Sequence, residues 1–575
     1  MTGGAPGDSP AGATSPGATS GSAPSGRRPT RTIATAIAIA VAAIAVAGVA
    51  GMLRCRRASA PTEQRSTTTL ALRITDRGAP VAARVVLSDP RGPLHMGNLD
   101  LYGQRQGGAA CPIAPAVVGS WDGLIVGRGI AEVPVGADRC VPSPAIRYGR
   151  YHYVAWRGIE YERAEGDVDL SEGRGRVELA IALDRAWTPH GTLAADLHVH
   201  AFASGDSRLP NPQRVIAQAA AGIQVVGLSD HNVHGDLAAE IAELALDPVI
   251  ASIASDELSS DQLHVGVYPV AIRRGAPHGG GPADGEVAHA GAQQLFDLAR
   301  KTSGHPPDRT VVQLNHPRFR VTALYDGTGW DGVAWPPPFP LGVDAVEVLA
   351  GYSAFNAPGD RRFDDSVRDF YTLVDHGHLI APLGNSDTHD LNWVLDGTTR
   401  SYVYVDDPRV APFDEPGFIA AIRARRVVAT SGPWLDVEAA AARGATPTAG
   451  PGQALAAHGS VWLDVTLGQA RFVHVDRIRI TVGAAAGPTL ATTVDVPPGA
   501  RSFRWAGAVD VGTTDTWIGV TADGDTPLPL EQTGSYQRDK WQHPGVTPFA
   551  IASPVLVDAD GDRRWKRGDA DLALP

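Results

Sequence analysis

The pattern of apolar and polar positions divides the chain into segments of different character. Residues 65–190 contain short β-branched or aromatic runs separated by Gly, Pro and Asp turns, which is typical of a β-sandwich. Between residues 191 and 432, strand-like runs alternate with helical stretches, and this alternation indicates a parallel sheet or barrel. Strands and turns return over residues 433–575. A second β-sandwich is therefore predicted at that end of the chain.

The N-terminal residues show a third pattern. Residues 1–31 are rich in Gly, Ser, Ala, Pro and Thr, which predicts disorder. Residues 32–53 carry no charge and are about as long as a helix that crosses a bilayer. A signal peptide cleaved after Ala60 is the alternative, but three arginines precede that point and Pro61 follows it. We expect an uncleaved single-pass anchor, with the N-terminus cytoplasmic and the bulk of the chain extracytoplasmic.

Length, charge and cysteine content narrow the choice of function. A chain of 575 residues is too long for one hydrophobic core, so several domains are expected. The net charge of −12 and the lack of an Arg/Lys-rich run in the body of the chain argue against a nucleic-acid partner. No Cys-x-x-Cys spacing supports a zinc knuckle. Cys111 and Cys140 could form a disulfide in an oxidising compartment, or both could remain unpaired.

Residue types that bind metals stand where the predicted strands of residues 191–432 begin or end. His198 and His200 are two positions apart in a predicted strand and therefore face the same side of it. A lone His at such a place is more often an ordinary loop residue, and a lone Asp often caps a helix. The recurrence of the pattern favours a shared site, because α/β barrels assemble their active sites at the carboxyl ends of strands. The residues in this pattern are His198, His200, His231, Glu257, His264, His316, Asp387 and His389.

Six ordered motifs carry a resemblance to a known family: DLHVH, SDHN, DEL, LHVGVY, NHP and GNSDTH. They resemble successive motifs of the polymerase-and-histidinol-phosphatase (PHP) family. The extra residue in ASGDS, after the first motif, resembles the carbaryl-hydrolase-like (CehA/McbA) branch. The resemblance covers about residues 191–432. It implies a distorted (β/α)7 barrel with two or three divalent metal ions, and the lack of cysteine ligands suits Zn, Mn or Fe.

The resemblance also implies how the ligands are shared among the ions. A first ion would be bound by His198, His200 and Asp387. Glu257 would bridge this ion to a second, which would also be bound by His264 and His316. A third ion would be bound by Asp206, His231 and His389. Asp206 is displaced by one position from the commoner motif, so the third site depends on whether this carboxylate reaches the others.

The expected function is a metal-dependent hydrolase that acts on a small-molecule substrate. A hydroxide shared by two ions would be the nucleophile, since a bound metal lowers the pKa of water to about 7. Glu257 and Asp387 would act by holding the ions, and Arg318 would contact a substrate oxygen unless it is an ordinary surface arginine. Phosphoester hydrolysis is the first expectation, and hydrolysis of a carboxylic or carbamic ester is the alternative. In a different class, the chain would be a non-catalytic cell-surface binding protein with a metal-stabilised barrel.

Overall fold

The computed structural model of the protein describes residues 68–93, 117–119, 123–136, 146–318, 322–351, 361–391, 395–529 and 545–574. Residues 1–31, the predicted anchor at 32–53, Cys111 and Cys140 lie outside these ranges. Within them, no helix is long and apolar enough to span a bilayer. The predicted anchor and the extracytoplasmic location that depends on it therefore find no support in the structure. That prediction rested on the length and lack of charge of one alanine-rich run, and neither property by itself specifies a helix.

The described residues up to Leu183 form two sheets of short strands. The strands are β1 Thr68–Asp76, β2 Ala79–Pro80, β3 Ala83–Asp89, β4 Gly92–Pro93, β5 Val117–Gly119, β6 Gly123–Val126, β7 Ile130–Val135, β8 Arg150–Trp156, β9 Ala164–Asp169 and β10 Gly175–Leu183. One sheet has the order β10-β1-β2, with β7 also paired to β1, and the other has the order β5-β6-β3-β8-β9, with β4 paired to β3. Alternate side chains such as Leu70, Leu72, Val85 and Leu87 are buried in a common core.

Strands and helices alternate through the central part of the chain. The strands are β11 Thr192–Val199, β12 Val225–Leu228, β13 Ala251–Ala254, β14 Asp256–Ser259, β15 His264–Tyr268, β16 Val311–Leu314, β17 Ala345–Ala350, β18 Ala381–Asn385, β19 Arg400–Tyr404 and β20 Val427–Thr430. The helices are α1 Asn211–Ala220, α2 Ala238–Glu243, α3 Asp284–Val287, α4 Ala292–Thr302, α5 Leu324–Thr328, α6 Arg361–Asp375 and α7 Glu415–Arg423. Helix α1 begins with a proline in its first turn and ends before Gly222, whose φ of 80° suits glycine.

These central strands do not close into a barrel, so the predicted (β/α)7 fold is wrong. Strands β11, β12 and β13 are parallel to one another, and β19 and β20 continue their sheet in antiparallel fashion. Strands β14 to β18 form a second, five-stranded sheet in which β14 and β15 are antiparallel. The alternation of strands and helices in a sequence does not specify which strands pair. The chain passes at Ser255 from one sheet to the other, and the sequence carries no sign of that change.

The two central sheets meet at the ends of their strands. The backbone N–H of Asp387, just after β18, donates to the carbonyl of His198 in β11 at 2.8 Å. The backbone N–H of His200 likewise donates to the carbonyl of Thr388 at 3.0 Å. A further bridge joins His231, which follows β12, to Glu257 in β14. The carboxyl ends of β11, β12 and β18 are therefore close together, and this junction holds the candidate site.

The C-terminal strands extend the first central sheet. They are β21 Trp434–Ala440, β22 Ala454–Ala456, β23 Gly459–Gly468, β24 Arg477–Ala484, β25 Gly487–Asp495, β26 Ser502–Gly512, β27 Thr516–Asp523, β28 Phe549–Asp558, β29 Arg564–Arg567 and β30 Ala570–Ala573. The long sheet has the order β13-β12-β11-β19-β20-β28-β27-β24-β25, and β22 also pairs with β28. A separate sheet, β21-β23-β26, shares an apolar core with β24, β27 and β28. Residues Ser66–Pro575 accordingly form one compact unit.

Candidate metal centre

The structure brings all nine predicted metal ligands together at the junction of the two central sheets. Some of them lie within strands, at the end of β11, in β14 and at the start of β15. Others follow β12, β16 and β18, and one lies in the loop before α1. Four overlapping groups have potential ligand atoms within 4.8 Å of one another: His198, His200 and Asp387; His198, Glu257 and His316; His231, Glu257 and His264; and His200, Asp206, His231 and His389.

Glu257 is fully buried at the middle of these groups. Its Oε1 lies 3.0 Å from His198 Nε2, 3.2 Å from His264 Nδ1 and 3.4 Å from His316 Nε2. Its Oε2 lies 2.9 Å from His231 Nδ1 and 3.5 Å from His200 Nε2. Two ligand atoms of a tetrahedral zinc ion are roughly 3.3–3.6 Å apart when each bond is about 2.0–2.2 Å long. The 3.4 and 3.5 Å distances fall in this range and the other three are shorter, so both oxygens of Glu257 are close enough to their neighbours to share ions with them.

Asp387 and Asp206 complete the groups on either side of Glu257. Asp387 Oδ1 lies 3.2 Å from His198 Nε2 and 3.1 Å from His200 Nε2. Asp206 Oδ2 lies 3.0 Å from the Nε2 atoms of both His231 and His389. The displaced Asp206 therefore reaches the histidines that the family resemblance assigns to it. The groups overlap more than the resemblance implies, because His200 lies near the carboxylates of both Asp387 and Asp206.

The centre is buried at one side and open at the other. His198, His200 and Glu257 are shielded completely from solvent, whereas the side chain of Asp206 is 50% exposed. His231 and His389 are partly exposed beside Asp206. A small molecule would therefore reach the centre from the side of Asp206.

Glu347 orients two of the buried histidines and was missed by the analysis of the sequence. Its Oε1 lies 2.8 Å from His198 Nδ1, which leaves His198 Nε2 facing the other ligands. Its Oε2 accepts the backbone N–H of His316 at 2.8 Å, and Asn385 Nδ2 donates to Oε1 at 2.9 Å. A carboxylate hydrogen-bonded to the far nitrogen of a ligand histidine is the usual support of a metal site. The available signal was one acidic residue inside the otherwise apolar strand Ala345–Ala350.

Further polar side chains hold the remaining ligands. Asn315 Nδ2 donates to Glu257 Oε1 at 2.8 Å. Ser204 Oγ donates to Asp206 Oδ1 at 2.8 Å and lies 3.1 Å from His200 Nδ1. These contacts fix the side chains before any ion or substrate binds, which is what a preorganised site requires.

Two of the ligands lie on strained backbone. His316 has a φ of 28° and Asp387 a φ of 50°, values in the left-handed region that non-glycine residues seldom adopt. Strain of this kind is concentrated at functional sites, where the surrounding structure maintains it. Each of the two residues lies two positions after the end of a strand that has a parallel neighbour. The turn at that point brings its side chain among the other predicted ligands.

The electrostatics of the centre suit cations. Burial acts to raise the pKa of Glu257, but His198, His264 and His231 outweigh it and hold this pKa well below its usual range. Burial also acts to raise the pKa of Asp387, but His198 and His200 outweigh this effect and lower the pKa. Burial, with the nearby His389, lowers the pKa of His200 to about 3. Ionised carboxylates and neutral imidazoles are the protonation states in which these groups bind metals. Burial acts to lower the pKa of His198, His231, His316 and His389, but the neighbouring carboxylates outweigh it and raise these pKa values, so a bound ion would have to displace protons from these imidazoles.

Arg318 lies in a buried ion pair of its own. Its Nε donates to Asp369 Oδ2 at 2.6 Å, its Nη1 donates to Asp326 Oδ1 at 3.3 Å, and the guanidinium lies over the ring of Tyr325. The described residues show no hydrogen bond or ion pair between Arg318 and the nine ligands. The two carboxylates occupy Nε and Nη1, while Nη2 has no hydrogen-bond partner among the described residues.

The donor set of six imidazoles and three carboxylates, with oxygen and nitrogen atoms at ligand-like spacings, fits divalent ions such as Zn, Mn or Fe. No family model matches the sequence, and the search of curated proteins finds no match. The interpretation of the centre therefore depends on the residues and on their geometry.

Proposed function

We propose that the chain is a metal-dependent hydrolase of the PHP type, which binds two or three divalent ions in this centre and cleaves ester bonds of small molecules. The observation that carries the proposal is the position of Glu257. One buried carboxylate lies within 3.5 Å of five imidazoles that come from four separate places in the chain. Structural zinc sites are usually closed sets of four ligands, whereas overlapping groups around a shared carboxylate are typical of sites with several ions.

The residues of the centre would divide the work of the reaction. When bound, the ions supply Lewis acidity and a water of lowered pKa. His198, His200, Asp387 and Glu257 would bind on the buried side, where water is excluded and electrostatic interactions are strong. Asp206, His231 and His389 would bind at the open side, where a substrate arrives. Three ions and three ligand carboxylates would leave about three positive charges, which favours a phosphoester as substrate.

A neutral carboxylic or carbamic ester is the alternative substrate within the same chemistry. Such an ester brings no negative charge, so it would depend less on the ligands at the open side. Phosphoesters are favoured because an ion bound with the single carboxylate of Asp206 would leave about one positive charge where the centre is open to solvent.

The test combines metal analysis of the full chain with a screen of phosphomonoesters, phosphodiesters and aryl esters. We expect two or three equivalents of divalent ion and phosphatase activity that EDTA abolishes and Zn²⁺ or Mn²⁺ restores. Glu257→Gln should lose both the ions and the activity. Glu243→Gln, which changes an exposed carboxylate on α2, is the matched control and should lose neither.

Two results would contradict the proposal. A purified chain that binds no divalent ion would remove the metal centre. A chain that binds the ions but hydrolyses no ester of any class would favour the binding protein with a metal-stabilised scaffold.

A further inference from the structure

A second polar cavity lies at the other end of strand β11 from the metal centre. Its volume is about 370 Å³. Thr192, the first residue of β11, lines it together with Gln224, which precedes β12, and Val249, which precedes β13. Six residue steps along β11 separate Thr192 from His198, a distance of roughly 20 Å at about 3.3 Å per residue. A ligand in this cavity would therefore not touch the metal ligands.

Arg157 gives the cavity an uncompensated positive charge. The residue is only 9% exposed, and its Nη1 donates to the carbonyl of Ala82 at 2.9 Å. Within the described part of the chain, no carboxylate forms an ion pair with it. Burial lowers the pKa of Arg157, and the charges of the nearby Tyr161 and Glu160 offset it only in part. A buried charge normally has an ionic partner, because its transfer from water is otherwise strongly unfavourable.

The other two charged residues of the cavity neutralise each other. Arg185 Nη1 donates to Glu160 Oε2 at 3.1 Å. Glu160 Oε1 also accepts from the hydroxyl of Tyr402 at 3.0 Å. Glu160 is thereby occupied on both oxygens, and the cavity retains the net charge of Arg157.

Thr192 supplies a second, independent sign of a missing ligand. The residue is 4% exposed, and its Oγ1 is a buried polar atom that has no hydrogen-bond partner among the described residues. A buried hydroxyl without a partner is uncommon, because it has lost its water without gaining a hydrogen bond. Gln224 adds an amide whose oxygen accepts the backbone N–H of Ala194 at 3.0 Å. The cavity thus offers a cation that forms no ion pair and a hydroxyl that has no hydrogen-bond partner among the described residues.

The remaining wall is apolar and formed by Pro248, Val249, Pro408 and Val410. The volume is within the range of small-molecule sites, about 300–1,000 Å³, and exceeds the needs of an inorganic anion. Apolar surface opposite a cation suits a molecule with a charged group at one end and a hydrocarbon part at the other.

We propose that this cavity binds a small organic oxyanion, whose carboxylate or phosphate group contacts Arg157 and Thr192 and whose apolar part packs against the proline and valine wall. The site is independent of the proposed hydrolysis, because its residues are separate from the nine metal ligands. Occupancy would stabilise the start of β11, the strand that carries His198.

Ligand-dependent thermal unfolding of the full chain tests the proposal, with benzoate and inorganic phosphate as probes. We expect the unfolding midpoint to rise with ligand concentration in a saturable manner, as for a ligand that binds only the folded state. Benzoate should bind more tightly than acetate, which lacks the apolar part. Arg157→Gln should raise the dissociation constant by about tenfold or more, since it removes a charge-assisted hydrogen bond.

Two further variants keep the result decisive. Thr192→Val preserves the shape of the side chain and removes the hydroxyl, and it should weaken binding about fivefold even if Arg157→Gln does not fold. Glu257→Gln should leave benzoate binding unchanged, which separates this cavity from anion binding at the metal centre. Stronger binding of acetate than of inorganic phosphate, both of which lack the aromatic ring, would assign a carboxylate, and the reverse a phosphate. The proposal is overturned if neither probe binds, or if Glu257→Gln abolishes binding while Thr192→Val leaves it unchanged.

Discussion

The candidate metal centre has two halves, one around the buried Glu257 and the other around the half-exposed Asp206, and they are supported by different kinds of side chain. The inner half consists of His198, His200, Glu257, His264, His316 and Asp387. The outer half consists of Asp206, His231 and His389. In the inner half, the carboxylate of Glu347 and the amides of Asn315 and Asn385 make the supporting contacts. In the outer half, the hydroxyls of Ser204 and Ser259 hold Asp206 and His231.

The difference predicts a division of function. A buried hydrogen-bond network fixes side chains strongly, because hydrogen bonds are strong where water is absent. Hydroxyl groups rotate freely, and the carboxylate of Asp206 is half exposed. The inner half should therefore bind ions tightly and define the chemistry. The outer half should bind an ion more weakly and determine which substrate is accepted.

The largest effect is expected from Glu257→Ala, because both oxygens of this carboxylate lie among the imidazoles of the inner half and His231. Hydrolysis of every substrate class should fall by about 1,000-fold or more, as when a residue shared by the whole catalytic unit is removed. The bound ions should be lost together. Metal content and the rates on a phosphomonoester and an aryl ester check this. Retention of full metal content would show that Glu257 is not a shared ligand.

Asp206→Ala should act on the outer half alone. It removes the oxygen that lies 3.0 Å from both His231 and His389, so one equivalent of ion should be lost. Phosphatase activity should fall about 100-fold, because a dianionic substrate loses positive charge at the point of entry. Aryl esterase activity should change by less than about threefold. Equal losses of both activities, or an unchanged metal content, would remove the distinction between the halves.

Glu347→Gln tests the support of the inner half. The change keeps the volume of the side chain but removes the charge beside His198 Nδ1. Loss of such a support typically weakens metal affinity by about 10- to 100-fold, and we expect the lower end because the amide oxygen can still accept one hydrogen bond. Titration with a competing chelator measures the affinity. Glu160→Gln, which changes a buried carboxylate near the start of β11, is the control for general destabilisation.

The sequence predicts the members of the metal centre better than it predicts the fold around them. His198 and His200 share one face of a strand, and that local rule holds in any sheet. The pairing of β20 with β28 joins residues more than a hundred positions apart, and no local pattern encodes it. No local pattern encodes the passage from β13 to β14 at Ser255 either, although this passage divides the expected barrel into two sheets.

Within the site, the residues that sequence analysis missed act through other residues. Glu347 touches His198 and the backbone of His316, and a single acidic residue in an apolar strand has no distinctive spacing. The contact of Arg318 with a substrate oxygen stays a prediction. Its guanidinium pairs with Asp369, a partner in a distant helix that the sequence does not reveal.

Ser204→Ala should give the smallest effect, because Ser204 connects the two halves by hydrogen bonds alone. Its hydroxyl donates to Asp206 Oδ1 at 2.8 Å and lies 3.1 Å from His200 Nδ1. One net hydrogen bond is worth about 1 kcal/mol, which corresponds to about a fivefold loss of affinity for the outer ion. The inner ions should keep their affinity, because Asp387 and Glu257 still lie beside His200 Nε2. Phosphatase activity at low metal concentration should fall by a similar factor and recover when metal is added in excess. Ser260→Ala, whose hydroxyl donates to the carbonyl of Leu263 outside the ligand groups, should change neither quantity. A loss of inner ions in Ser204→Ala would mean that the two halves bind as one unit, and their different supports would then have no separate functional consequence.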